Sequence, residues 1–130
     1  MGIEAFNLAS SLSLIIAQRL ARRLCPHCKT VDDLPEILRQ KLNISQGMTL
    51  YQAFSQGCSE CTGGYSGRVG IYEVMPFTTE IASAVIKKAS ANDIEMIAVK
   101  QGMATLRQSG IENLKQGITS FAELQRVLYF

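Results

Sequence analysis

A chain of 130 residues, 47% apolar and 18% charged, has the composition of a folded domain with a modest core rather than of a disordered segment. Its formal charge of +2 gives no electrostatic case for a polyanionic partner. The longest apolar run, Leu14-Ile15-Ile16-Ala17, is too short to span a bilayer, and the charge ahead of it is Glu4 rather than a basic cluster, so a cytosolic setting is expected.

In chain order, Asn7 can N-cap a short helix over "LASSLS". The next stretch, "LIIAQRLARRL", fits two periods. Leu12, Ile16, Leu20 and Leu24 recur at i+4, as in a helix, while Ile16, Leu20 and Leu24 also share one parity, as in a strand. Asp33 can cap a short helix over "LPEILRQKL", with Pro35 in its first turn and Leu34, Ile37, Leu38 and Leu42 as its apolar face. Residues 43–47 read as a loop, and "MTLYQAF" reads as a short strand. The glycines of "TGGYSGRVG" suit tight turns, and "RVGIYEV" is rich in β-formers until Pro76 ends it.

The rest reads as helical. "TEIASAVIKKA" groups Ile81, Val85 and Ile86. Asn92 and Glu95 form a capping box before "IEMIAVKQ", which Gly102 stops. "TLRQSGIENLKQ" runs to Gly117, with Gly110 weakening its middle. Ser120 and Glu123 form a second capping box before "FAELQRVLYF", with Phe121, Leu124 and Leu128 inward. Met75, Met96 and Met103 are expected as core fillers.

All four cysteines fall in two pairs, Cys25-x-x-Cys28 and Cys58-x-x-Cys61. A two-residue spacer lets both sulfurs of a pair turn toward one point, and two such knuckles supply four thiolates in a tetrahedron. Structural zinc accounts for both pairs. A redox CxxC would need a strand before it and a helix after it, and would leave the second pair unexplained. A disulfide pairing would need an oxidising compartment. Iron suits four tetrahedral sulfurs as well as zinc does. Four thiolates and Zn²⁺ sum to about −2, which Arg22, Arg23 and Lys29 can partly offset. The single histidine, His27, lies between two cysteines and is expected exposed, so no catalytic triad is available. Glu73 is expected as an outward-facing strand residue. No Gly-x-x-x-x-Gly-Lys-Ser/Thr loop occurs, and Gly64, Gly67 and Gly70 only echo a dinucleotide pattern. A stand-alone zinc ribbon using Arg19, Arg22, Arg23, Lys29 and Arg68 on nucleic acid is an alternative, disfavoured by the small net charge.

The ordered set "FNLASSLSLIIAQRLARRLC", CxxC, a gap of about thirty residues, CxxC, "GGYSGRVGIYEVM" and "GMATLRQSG…KQGITSFAEL" resembles the C-terminal part of the type II secretion and type IV pilus assembly ATPases. "LIIAQRLARRLC" favours the pilus assembly, PilB-like branch. The resemblance covers nearly the whole chain. It implies zinc on Cys25, Cys28, Cys58 and Cys61, and an α+β fold. In that fold residues 15–24 pair antiparallel with 68–75, a four-cysteine insert sits at the tip of the pair, and a helical C-terminal subdomain follows. It further implies three parts: 1–24 as the end of the ATPase core, 25–66 as the insert, and 67–130 as the return strand and helices. Family members carry the phosphate loop and the Mg²⁺-holding acids upstream, so this chain is expected to be a C-terminal piece with no catalytic or nucleotide-binding residues of its own, ATP and Mg²⁺ belonging to the parent. The implied partners are neighbouring subunits of a hexamer and the inner-membrane platform protein, with no nucleic acid and no insertion into the membrane. The implied location is cytoplasmic, peripheral to the bacterial inner membrane. Loss of the metal is expected to unfold the insert and spare much of the helical part.

Overall fold

A computed structural model describes residues 14–128; the helix expected over "LASSLS" lies outside them. The fold is α+β. Strand β1 covers Leu14–Leu24 and is hydrogen-bonded to β4, Tyr65–Pro76, in a two-stranded sheet. Cys25 N–H donates to Gly64 O at 2.9 Å where β1 ends and β4 begins, so the strands run antiparallel. The two-fold ambiguity of "LIIAQRLARRL" thus resolves as strand. Residues between β1 and β4 form the insert at the closed end of this pair.

Inside the insert, β2 (Thr30–Asp32) pairs antiparallel with β3 (Leu50–Gln52), with Val31 opposite Tyr51. Helix α1 covers Glu36–Lys41, and its N-cap is Pro35 rather than Asp33. Proline has no N–H and pushes the residue before it to extended backbone, so the helix cannot begin at Leu34. Leu34 and Leu42 are buried and Leu38 packs beside them, but Ile37 is 70% exposed. The inward polar residue is Arg39, which donates to the carbonyls of Leu34, Ser45 and Met48.

Four helices follow: α2 (Thr79–Ile86), α3 (Ala91–Lys100), α4 (Leu106–Lys115) and α5 (Phe121–Leu128). Thr78 caps α2 through its hydroxyl. Ser90 caps α3 by accepting from Asp93 N–H at 3.1 Å, so the working pair is Ser90 and Asp93 rather than Asn92 and Glu95. Asn92 lies one residue inside the helix, where its side chain is past the cap position. Gly102, at φ 97°, stops α3 as expected.

The chain divides into two compact units. One comprises residues up to Ala17 with Tyr72–Thr105; its core is Ile81, Ala98 and Met103, with Met75, Phe77, Ile94 and Ile97 packed against them. Ala84 is also buried there. Met96, expected inside, is 65% exposed, and Ile86 also faces outward. The other unit comprises Gln18–Ile71 and Leu106–Phe130. Its core joins Ala21 and Ile71 of the strands, Leu34, Leu42, Ile44 and Leu50 of the insert, and Leu114, Phe121 and Leu124 of α4 and α5. The insert and the last two helices therefore share one apolar core.

Candidate metal centre

The first knuckle is a turn at the end of a strand, and the second lies in the segment between β3 and β4. Cys25 follows β1 directly, and residues 26–28 form a turn that ends one residue before β2. The second knuckle precedes the tight turn Thr62-Gly63-Gly64-Tyr65, closed by Thr62 N–H to Tyr65 O at 2.9 Å and Tyr65 N–H to Thr62 O at 3.1 Å. Both central glycines have positive φ, as this two-residue hairpin requires. Gly64 is constrained twice over: a Cβ there would lie 2.6 Å from Phe54 O and 2.7 Å from the Ala53 Cβ.

These turns bring the sulfurs of Cys25, Cys28, Cys58 and Cys61 within 4.8 Å of one another. Cys25 Sγ lies 3.7 Å from Cys58 Sγ, Cys28 Sγ 3.6 Å from Cys61 Sγ, and Cys58 Sγ 3.7 Å from Cys61 Sγ. A tetrahedron with Zn–S bonds of about 2.3 Å has edges of about 3.8 Å. Three of the six sulfur–sulfur distances thus match the edge of such a tetrahedron, and none of the four cysteines is in a disulfide. Cys25 is buried and the other three are half-buried.

The electrostatics of the cluster suit a cation. Burial pushes the Cys28 thiol up to about 12, with hydrogen bonds to the Cys61, Cys25 and Cys58 sulfurs adding to it. At Cys61 burial acts in the same upward direction, but the backbone N–H groups of Cys58 and Gly64 and the neighbouring thiols outweigh it and bring the group down to about 7. Cys58 is raised: the Glu60 N–H opposes this, while burial and the Cys25 and Cys61 thiols prevail. Four close thiols cannot all ionise alone; a divalent cation removes that conflict. Backbone N–H groups already point at the second pair, from Cys58 to Cys61 Sγ at 3.3 Å and from Glu60 to Cys58 Sγ at 3.4 Å. The donor set fits zinc, with iron(II) chemically admissible. A redox centre would expose its attacking thiol at a helix N-terminus; Cys25 is buried, and a turn follows it.

The surrounding cations are differently placed than their sequence suggests. His27 is exposed, as expected. Arg22 is engaged by Glu123, and its guanidinium carbon lies 4.2 Å from the Tyr65 ring centre. Lys29 Nζ donates to Gly117 O at 3.1 Å and sits 4.3 Å from the Tyr51 ring centre. An open cleft of about 540 Å³, lined in part by Arg22, Glu60, Cys61, Tyr65 and Arg68, runs beside the second knuckle.

Glu123 is the residue whose reach the sequence hid. Its side chain is fully buried, and it accepts from Arg22 N–H at 2.7 Å, from the Arg22 guanidinium, and from Arg126 at 2.9 and 2.7 Å. Burial alone would raise its carboxyl, but the two arginines outweigh that and hold it at about 2. The Ser-x-x-Glu box locates the residue; nothing local announces partners 101 positions away.

Comparison with known proteins assigns the chain to a family. The model of the type II/IV secretion system protein family matches residues 1–126. The chain belongs to that family. It is 42% identical over 98% of its length to the type IV pilus assembly ATPase PilB of Acinetobacter baylyi, and 42% identical over 95% to PilB of Thermus thermophilus. It is 36% identical over 98% of its length to type II secretion system protein E of Klebsiella pneumoniae. The chain spans only 23%, 14% and 25% of those three relatives.

Proposed function

We propose that the chain is the metal-binding part of a hexameric motor ATPase that powers type IV pilus assembly, with one structural zinc on Cys25, Cys28, Cys58 and Cys61. The observation that carries this reading is the cluster of four sulfurs in a chain 42% identical to a pilus assembly ATPase. When bound, the ion would offset half of the thiolate charge and cross-link the two knuckles. The chain's own residues do the rest: the glycine turn aims Cys58 and Cys61, the strand pair aims Cys25, and the insert's core joins α4 and α5. Holding an ion there, the four cysteines would close a loop of about forty residues, a closure that otherwise costs several kcal/mol of chain entropy.

The parent would hydrolyse ATP with Mg²⁺ held by segments outside these residues, and this chain would not be an ATPase alone. In this reading residues 1–24 end the ATPase core, 25–66 form the insert, and 67–130 return to the core and carry the helices. The apolar strand pair supports the first part. Leu14, Ile15, Ile16, Leu20, Tyr72 and Val74 are all exposed, and strands apolar on both parities belong inside larger sheets. Partners would be neighbouring subunits and the membrane platform protein, at the cytoplasmic side of the inner membrane. Among the described residues no helix is long and apolar enough to cross a membrane.

Type II secretion is a second reading, supported by the identity to the Klebsiella protein. Complementation separates them. The parent gene should restore pili to a strain lacking its assembly ATPase, and serine at Cys25 or Cys58 should abolish that rescue. Restored secretion without pili would favour the second reading, and full rescue by the serine variants would refute the role of the metal.

A further inference from the structure

The chain enters the first knuckle through residues 22–24, and a distant stretch, Gly117–Glu123, grips those residues. Leu24 N–H donates to Ile118 O at 2.8 Å. Thr119 Oγ1 donates to Arg22 O at 2.9 Å. Arg22 N–H donates to Glu123 Oε2 at 2.7 Å, and the Arg22 guanidinium returns to the same carboxylate at 2.9 Å. Beyond the knuckle, Lys29 Nζ reaches Gly117 O. Tyr65, which follows the second knuckle, shares a 2.7 Å hydrogen bond with Ser120 Oγ.

The same stretch starts α5. Ser120 Oγ accepts from Glu123 N–H at 3.1 Å, and Leu124 N–H donates to Ser120 O. Thr119, Ser120 and Glu123 are all buried. They are polar groups placed inside for a hydrogen-bonding purpose, since burial without partners is costly.

We infer that Gly117–Glu123 is a strap that couples the cysteine centre to the docking of α5, with Glu123 as its positioning residue. The inference rests on the proposal that the four cysteines hold a divalent metal. Releasing the metal frees Cys25 and Cys28 to move. Residues 22–24 and Lys29 then lose the geometry the strap needs. Glu123 is left buried with Arg22 displaced, and the first turn of α5 loses its anchor. The coupling is reciprocal, so cutting the strap loosens the first knuckle.

Backbone deuterium exchange of the chain, zinc-loaded and after chelation, tests this alongside zinc stoichiometry. Chelation should speed exchange at Phe121–Leu128 by roughly tenfold or more, while α3, which has a separate core, keeps its rates. Zinc-loaded Glu123→Gln and Thr119→Val chains should each release zinc to a competing chelator roughly tenfold faster than wild type, through the open cleft beside Cys61. Thr119→Val removes one hydroxyl at nearly constant volume, so it carries the test if Glu123→Gln does not fold. A chain that binds zinc yet shows unchanged α5 exchange on chelation, or variants that release zinc at the wild-type rate, would overturn the strap. A chain that takes up no zinc overturns the metal proposal and the strap with it, and the stoichiometry distinguishes the two failures.

Discussion

At Glu123 a carboxylate is buried and ionised at once, which only its two arginines permit. Its carboxyl is held at about 2, below the ordinary 4.5. A folded-state pKa below the unfolded one gives stability that is present above about pH 4.5 and is lost as pH falls toward 2, on the order of 3 kcal/mol in all. Urea midpoints measured in parallel should fall more steeply below pH 4.5 for wild type than for Glu123→Gln. Equal slopes would show that the carboxylate is not differentially stabilised. Gly64 is the second decisive residue. Its φ of 90° and the 2.6 Å approach of Phe54 O leave no room for a Cβ. Gly64→Ala should cost more than about 1 kcal/mol and lower zinc uptake, as read by thermal melting and metal content.

Among the elements, what the sequence disclosed depended on how local each signal was. The cysteine pairs were legible because CxxC spacing is itself the geometry of a knuckle. Gly102 stopped its helix because a positive-φ terminus is a one-residue signal. β1 was not decidable from pattern, since its apolar residues satisfy two periods, and the resemblance resolved it. β2 was missed because three residues, Thr30-Val31-Asp32, carry no periodicity. The caps at Asp33 and Asn92 lost to Pro35 and Ser90, each displaced by a neighbour with the stronger local constraint. Gly110 looked like a weak point of α4, but it is where α5 comes close: a Cβ would lie 2.6 Å from Leu128 Cδ1 and 3.2 Å from Leu124 Cδ2. Gly110→Val should therefore destabilise by about 1–3 kcal/mol through overpacking, despite removing a helix glycine. A raised melting temperature would mean the two helices are not in close contact.

Over the whole molecule, contacts override chain order. The insert shares a core with α4 and α5, while α2 and α3 have a core of their own. Metal loss is thus expected to spare the helical part selectively, loosening α4 and α5 with the insert and leaving α2 and α3. Sequence could not foresee this, because the hydrogen bonds that tie β1 to the start of α5 join residues 97 and 101 positions apart. The sulfur geometry supports the proposal that the four cysteines hold one ion. X-ray absorption on the purified chain, with metal content, tests that proposal most directly. About one zinc per chain is expected, bound by four sulfurs at about 2.3 Å. A folded chain without metal, or a metal with fewer than four sulfur ligands, would contradict it.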